Sequence, residues 1–239
     1  YTAFAPMVHI GALERTATEL NLELVAVAAE PFAVARAVLG ADESTNYTAI
    51  LCDVGGGSTD IAVVNDGGVE GTKCFGVAGR SFTKTIGGDL SIGYEAAEKL
   101  KLNIDGDKIK PNVLRTVNES IDNTLDVWIS GVQLALSEFD AIDHLPNKFL
   151  LCGGGSSLGA LVDRLETSNW YKDLPFSRRP IIKHVRPSDV SGIEDETGEI
   201  TDHTLITALG LLRVGYDTME SVTGTKETFR DKIDRVLRI

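Results

Sequence analysis

The amino-acid sequence predicts an α/β fold built on a mixed sheet, with an antiparallel meander of strands and flanking helices. The runs Ala49–Val54 and Phe149–Cys152 are almost continuously apolar, which is typical of strands buried on both faces. Between them, Asp66-Gly67-Gly68 separates two strand-like segments and is a strong hairpin signal. From Val117 to Phe139, apolar residues recur at spacings of four and three, which predicts a long amphipathic helix. Strands and helices in this order indicate the α/β class.

The first forty residues contain two helix signals with a strand signal between them. Residues 11–20 place small and apolar side chains on one helical face. The apolar run at 24–28 predicts a strand. A second helix is expected from Glu30 to Leu39, because Pro31 lies in the first turn, where its missing N–H costs nothing.

The meander follows. Gly55–Gly57 are expected to turn the chain after the first strand, and Ile61–Val64 to return beside it. The hairpin then leads into a third strand that ends near Val77. Residues 81–86 are predicted to form a shorter extended piece, which Gly87-Gly88 ends.

The rest of the chain alternates helices, loops and strands. In order, the predicted elements are a helix at 90–101, a loop at 103–111, the long helix, the strand at 149–152, a helix at 158–165, a strand at 181–185 and a helix at 204–216.

Composition excludes several classes of function. The chain has 239 residues, and 35 acidic against 23 basic side chains give a formal charge of −12. This acidic balance argues against nucleic-acid binding, which depends mainly on Lys and Arg. No apolar run approaches the roughly 20 residues of a membrane-spanning helix. Cys52, Cys74 and Cys152 lack CxxC spacing and predict reduced thiols rather than a disulfide or a metal site.

The first motif that carries chemistry is the segment from Asp53 to Asp60, between two apolar strands. Because glycine has no Cβ, Gly55–Gly57 allow the backbone to approach an anion and point several N–H groups at it. Ser58 and Thr59 add hydroxyl donors. Asp53 ends a buried strand, a position that suits a Mg²⁺ ion held mainly through water. No Lys follows the glycines, so the segment is not a Walker A loop.

The second motif joins the strand that ends at Cys152 to a helix through Gly153, Gly154, Gly155, Ser156 and Ser157. Such a turn lets a phosphate or a flat ligand lie against the backbone at the positive end of a helix. The segment lacks the GxGxxG spacing and the downstream acid of a dinucleotide fold.

In this order, the motifs resemble the actin-like ATPase superfamily and its ribonuclease-H-like fold, with the closest match to the FtsA/PilM branch. The segment from Asp53 to Asp60 is similar to the second phosphate motif of that superfamily, and Gly153–Ser157 to its adenosine motif. The helix from Glu30 is similar to the connecting helix between the two halves. The segments Ile86–Asp89 and Thr207–Leu212 complete the ordered set.

The resemblance implies ATP and Mg²⁺ as cofactors, and it gives each site residue a role. Asp53 and Glu30 are the implied catalytic residues: Asp53 orders the metal, and Glu30 orients the attacking water. The implied nucleotide-binding residues are Gly55, Gly56, Gly57, Ser58, Thr59, Gly88, Glu98, Lys101, Gly153, Gly154, Gly155 and Ser156.

Two of these assignments have structural alternatives. Glu30 is equally suited to the first turn of a helix, where the helix dipole favours an acid. Glu98 and Lys101 resemble the pair that contacts ribose and base, but the same spacing forms a solvated ion pair on a helix.

The resemblance also predicts the domain organisation. Residues 1–48 correspond to the end of the first half and the connecting helix, and 49–216 to the nucleotide-binding lobe, with a short inserted subdomain at about 90–116. No Asp-x-Gly turn precedes Glu30, so the chain looks like the second half of the fold. We therefore expect it to bind nucleotide weakly alone.

The last segment, 217–239, is predicted to be a linker followed by an amphipathic helix. In residues 226–239, Lys and Arg outnumber Asp and Glu, and the apolar side chains share one helical face. A basic amphipathic helix suggests attachment to a membrane surface, as in FtsA-type proteins; the alternative is a terminal helix that packs on its own domain. The expected location is the cytoplasm, at the inner membrane face if the helix anchors.

The function implied is that of an ATP-binding, slowly hydrolysing actin-like protein of cell division or pilus assembly. Mg·ATP would control self-assembly or the recruitment of protein partners. Two alternatives remain open from the sequence. One is a scaffold that binds ATP without hydrolysis, and the other is a small-molecule kinase of the sugar-kinase branch.

Overall fold

A computed structural model describes residues 5–39, 47–104, 106 and 109–223 of the chain. Its centre is a five-stranded sheet with the strand order β3-β2-β1-β4-β5. Strands β1, β2 and β3 form the antiparallel meander, and β4 and β5 continue the sheet in parallel with β1. The strands are β1 Ala49–Val54, β2 Thr59–Asn65, β3 Gly68–Phe75, β4 Lys148–Cys152 and β5 Ile181–His184. The predicted mixed α/β sheet is confirmed.

Helices cover both faces of this sheet. They are α2 Glu30–Leu39, α3 Gly79–Leu90, α4 Tyr94–Leu102, α5 Pro111–Ser137, α6 Gly159–Thr167 and α7 Ile206–Thr223, whereas the first helix, α1 Met7–Glu19, has no buried residue. The long helix α5 begins at Pro111, whose fixed φ suits the first helical turn. Among the described residues, no helix combines the length and the apolar character needed to cross a membrane.

Two apolar cores form because successive side chains of a strand point to opposite faces. In β1, Ile50 and Cys52 pack with α3, α5 and α6, whereas Leu51 packs with α2 and α7. Trp128 on α5 is fully buried in the first core. Burying one large apolar side chain contributes about 1.5–3 kcal/mol, so both faces hold β1 in the centre of the sheet.

Helices α2 and α7 are also joined by charged side chains. Asp217 on α7 binds Arg36 of α2 and, at 2.9 Å, Arg213 of its own helix. Arg213 is buried and also donates to the carbonyl of Ser191 at 2.9 Å. This network joins the last turn of α2 to α7, and both helices pack on the same face of the sheet.

The prediction of an extended piece at 81–86 is wrong, because these residues lie inside α3. Phe82 and Ile86 are four residues apart and both buried, which is the spacing of one helical face. Gly87 and Gly88 therefore continue a helix instead of ending a strand. At Gly87, an added Cβ would lie 3.2 Å from the carbonyl oxygen of Ile92, so the glycine allows the chain to fold back closely towards α4.

Other boundaries also differ from the prediction. The apolar run 24–28 forms no strand and is largely exposed. No other described strand pairs with it, and a strand needs such a partner to satisfy its backbone groups. The third strand ends at Phe75 instead of Val77, and α1 begins at Met7. Helix α7 continues to Thr223, through part of the predicted linker, and residues 226–239 lie outside the described ones.

Candidate nucleotide site

Two glycine turns meet at one edge of the sheet. Strands β1 and β4 are parallel neighbours, so the turns that follow them lie side by side at the carboxyl edge, where α/β folds bind ligands. A cavity of about 520 Å³ opens there. Gly55 and Gly56 of the first turn line it together with Gly154 and Gly155 of the second, and α3 and α4 complete the wall.

The two turns approach so closely that a side chain is excluded at two positions of the second. A Cβ on Gly155 would lie 2.7 Å from the carbonyl oxygen of Gly55. Gly153 has a φ of +79°, and a Cβ there would lie 2.1 Å from Asp53 Oδ1. Both positions therefore require glycine, and the backbone itself forms this side of the cavity.

Three carboxylates lie together behind the first turn. Asp53 ends β1 and faces Asp60 of β2 across the antiparallel pair. Burial raises the pKa of Asp53, and the charge of Asp60 raises it further, while hydrogen bonds from Thr207 and Cys152 lower it. At the start of α2, the pKa of Glu30 is raised by burial and then by the charges of Asp60 and Asp53.

These acids fit a magnesium ion that is bound mainly through water. The described residues contain no preformed group of three or more His, Cys, Asp or Glu ligands for a metal. Mg²⁺ commonly keeps several waters and takes one or two carboxylates. Asp53 is only 8% exposed and lies beside a second carboxylate, Asp60. A bound cation would relieve the repulsion between the acids, which contributes to the raised pKa values of Asp53 and Glu30. The metal role of Asp53 stays a prediction, which its burial beside a second carboxylate supports.

Glu98 and Lys101 form an ion pair in which the Glu98 side chain is 31% exposed. Their side chains meet at 2.9 Å in the cavity wall, and the Lys101 side chain is only 11% exposed. Lys101 also donates to the Gly79 carbonyl and to the Thr83 hydroxyl, both at 2.9 Å. Burial alone would raise the pKa of Glu98, but hydrogen bonds from Thr83 and Lys101 outweigh it and lower the pKa. Helices α3 and α4 are thus joined at the cavity.

Six of the predicted nucleotide-binding residues line the cavity, and six do not. Those that line it are Gly55, Gly56, Glu98, Lys101, Gly154 and Gly155. Gly57, Ser58, Gly88 and Gly153 lie outside its lining, as do Thr59 and Ser156. Gly88 is exposed within α3, away from the lining, and its contact with a nucleotide stays a prediction.

The hydroxyls of Thr59 and Ser156 are used inside the protein. Thr59 is fully buried, donates to the Val77 carbonyl at 2.8 Å and accepts from Trp128 Nε1 at 2.9 Å. Ser156 is also fully buried and donates to the Gly153 carbonyl at 2.7 Å. Both hydroxyls thus have partners inside the protein, and the contacts of these two residues with a nucleotide stay a prediction.

Several lining residues were not predicted. Arg80 and Phe82 lie on α3, whereas an extended piece was expected at 81–86, and Tyr94 begins α4. Ser157 belongs to the second motif but was not assigned a role. A helical periodicity from Phe82 to Ile86 is the signal that could have placed α3 in the wall.

A pair of stacked histidines supports the second glycine turn. The rings of His184 and His203 lie 3.8 Å apart. His203 Nε2 is 3.0 Å from Ser157 Oγ, and His184 Nε2 is 3.1 Å from the Ser156 carbonyl, so the latter nitrogen carries a hydrogen. Burial lowers the pKa of His203, and the neighbouring His184 lowers it further, whereas Asp202 raises it.

We expect the variant His203→Gln to lose less stability than the wild type between about pH 7 and pH 5.5. His203 has a lower pKa when folded, so protons favour the unfolded chain as pH falls through the ordinary value of 6.5. The wild type is therefore destabilised below that pH. Because His203 is partly exposed, the difference in melting temperature should be only about 1–2 °C, measured by thermal unfolding. His144→Gln, at an exposed histidine, should behave as the wild type; equal pH profiles for all three proteins would contradict the prediction.

Comparison with known proteins agrees with this architecture. A solved structure of a PilM–PilN type IV pilus biogenesis complex is similar, with a TM-score of 0.66 and 20% identity. The match covers 86% of this chain and 57% of the chain in that structure. The structure of MreB5 of Spiroplasma citri bound to ADP is also similar, with a TM-score of 0.56 and 19% identity. That match covers 93% of this chain and 69% of the MreB5 chain. At such identities these structures show a shared fold and nothing further.

Sequence comparison identifies the family. The cell division protein FtsA of Bacillus subtilis is 35% identical over 164 residues, 61% of this chain and 37% of that protein. The chain spans about half the length, or less, of the curated relatives that it matches. The family profile described as cell division protein FtsA matches residues 50–210, more than half of the chain. The chain therefore belongs to the FtsA family of actin-like proteins.

Proposed function

We propose that this chain supplies an ATP-binding lobe of an actin-like cell-division protein, in which Mg·ATP controls self-assembly or partner recruitment. One observation carries the proposal: two glycine turns after neighbouring parallel strands form one wall of a 520 Å³ cavity, with a buried acid at the same edge. Membership of the FtsA family supports the cell-division role. The pilus-assembly alternative is supported only by a shared fold.

The cavity has two chemically different ends. At one end, the backbone of Gly55 and Gly56 suits the phosphates of a nucleotide, because no side chain keeps an anion away. At the other end, Glu98 and Lys101 offer a carboxylate and an ammonium group to ribose hydroxyls and base edges. Phe82, Tyr94 and other apolar groups in the wall suit a flat base.

Hydrolysis in this proposal is phosphoryl transfer to water. Asp53, with Asp60 opposite, would hold the hydrated metal, and bound Mg²⁺ would neutralise phosphate charge as the reaction proceeds. Thr207 donates to Asp53 and fixes the orientation of its carboxylate. Glu30 begins α2 beside these acids, and its raised pKa favours a role in accepting or sharing a proton of the attacking water. Slow turnover is expected.

The proposal is tested by measuring the binding of ATP, ADP and adenosine to the 239-residue chain in Mg²⁺, using saturation-transfer NMR, which reports weak binding. We expect affinities in the millimolar range. Lys101→Gln should weaken the binding of all three ligands by about tenfold, because it removes a charged donor and leaves Glu98 without its partner.

Lys99→Gln is the matched control, since Lys99 lies on the same helix, is exposed and does not line the cavity. It should leave affinity unchanged. If the wild type binds no nucleotide, or if both lysine variants bind as the wild type does, the proposed site is wrong. Phosphate release that stays absent despite ATP binding would instead favour the non-hydrolysing scaffold.

A further inference from the structure

Arg80 differs from the other charged groups that line the cavity. Those groups are Glu98 and Lys101, which form an ion pair at 2.9 Å and so cancel one another. Among the described residues, Arg80 makes no ion pair and no side-chain hydrogen bond. The lining of the cavity therefore includes one cation that has no ion-pair partner among the described residues, in a chain whose formal charge is −12.

The guanidinium of Arg80 lies against the first glycine turn. A Cβ added to Gly56 would be 3.3 Å from Arg80 Nε and 3.5 Å from Nη2, and one added to Gly57 would be 3.8 Å from Cζ. The absence of a side chain at Gly56 thus leaves room for the guanidinium to lie against the turn, and its distance from Gly57 is an ordinary van der Waals contact. The backbone of Arg80 is held at the same turn, because its backbone N–H donates to the Gly56 carbonyl at 2.8 Å.

We propose that Arg80 is a phosphate-binding residue of this cavity: its guanidinium, which lies against the first glycine turn, binds a polyphosphate chain in the cavity. The inference rests on the proposed function for the identity of the ligand, but adds a side-chain cation to a turn whose lining residues, Gly55 and Gly56, offer only backbone groups. A guanidinium presents several N–H donors in one plane and suits two phosphate oxygens at once. Arg80 then favours ligands with a phosphate chain over adenosine.

The experiment compares tripolyphosphate, ATP and adenosine as ligands of the full chain, again by saturation-transfer and ³¹P NMR at two salt concentrations. For Arg80→Gln we expect about tenfold weaker binding of ATP and tripolyphosphate, with adenosine unchanged. The salt dependence of ATP binding should also decrease. Arg80→Lys should lie between the two, because it keeps the charge and loses the planar fork.

Lys84→Gln is the matched control. Lys84 lies one turn further along α3, is exposed and does not line the cavity. Its replacement by glutamine removes the same charge as Arg80→Gln. Equal losses in Arg80→Gln and Lys84→Gln would overturn the inference, as would a loss for adenosine as large as that for ATP. Tripolyphosphate binding that depends on Arg80 without any binding of adenosine would support Arg80 as an anion ligand and count against the proposed ATP site. If Arg80→Gln binds ATP as tightly as the wild type does, the ATP site is supported and the role of Arg80 as a phosphate-binding residue is overturned.

Discussion

The variant Gly153→Ala should lose about 3 kcal/mol or more of its free energy of unfolding, a large share of the stability of a single domain. Gly153 has a φ of +79°, and its new Cβ would lie 2.1 Å from Asp53 Oδ1 and 2.6 Å from the Val54 carbonyl oxygen. Neither atom can retreat easily, since both belong to the end of the central strand β1. Urea unfolding followed by circular dichroism measures the loss.

Gly154→Ala provides the control within the same turn. A Cβ at Gly154 meets no atom within 4 Å, so the stability should change by no more than about 0.5 kcal/mol. Both variants add one methyl group to neighbouring residues of the second motif. Equal destabilisation by the two would show that the close contact between the turn and Asp53 does not exist in solution.

The variant Asp53→Asn should be more stable than the wild type and yet bind Mg·ATP at least about tenfold more weakly. Burial raises the pKa of Asp53, and the charge of Asp60 adds to the rise, so the ionised carboxylate costs stability in the folded chain. Asparagine keeps an oxygen that can accept from Thr207. We expect a gain of about 1 kcal/mol near neutral pH in the absence of metal.

The pH dependence of this gain has a definite sign. Because the folded pKa of Asp53 lies above the unfolded value of 3.8, the folded chain binds the proton more tightly. Wild-type stability therefore falls as pH rises through the window between the two values, and Asp53→Asn lacks that fall. The gain should be present above this window and absent below the unfolded pKa. Thermal unfolding at several pH values measures it.

Asp163→Asn removes the same charge from an exposed position on α6 and controls for the net negative charge of the chain. It should change neither stability nor binding appreciably. The metal role of Asp53 would be refuted if Asp53→Asn bound Mg·ATP as tightly as the wild type. A gain in stability equal to that of Asp163→Asn would show that the effect is not local to the acids.

Much of the fold could be predicted because its signals are local. The buried strands β1 and β4, the hairpin at Asp66–Gly68 and the stripe of α5 each depend on the periodicity of a single segment. Helix α3 was mistaken because its glycines favour a turn in isolation, and the decision for a helix comes from the packing of Phe82 and Ile86 against α5. The run 24–28 was mistaken for the converse reason, since a strand also needs a partner.

In the candidate site, too, some features depend on local sequence and others on packing. The sequence by itself determined which segments turn on glycine, that an acid ends the central strand, and the family to which such an order of motifs points. Only the tertiary structure decided which side chains face the cavity. It turned the Thr59 and Ser156 hydroxyls inwards, placed Gly88 on an exposed helix surface and brought Arg80 over the first turn. The physical reason is that a motif specifies residue types along the chain, whereas the direction of each side chain depends on the packing of elements distant in sequence.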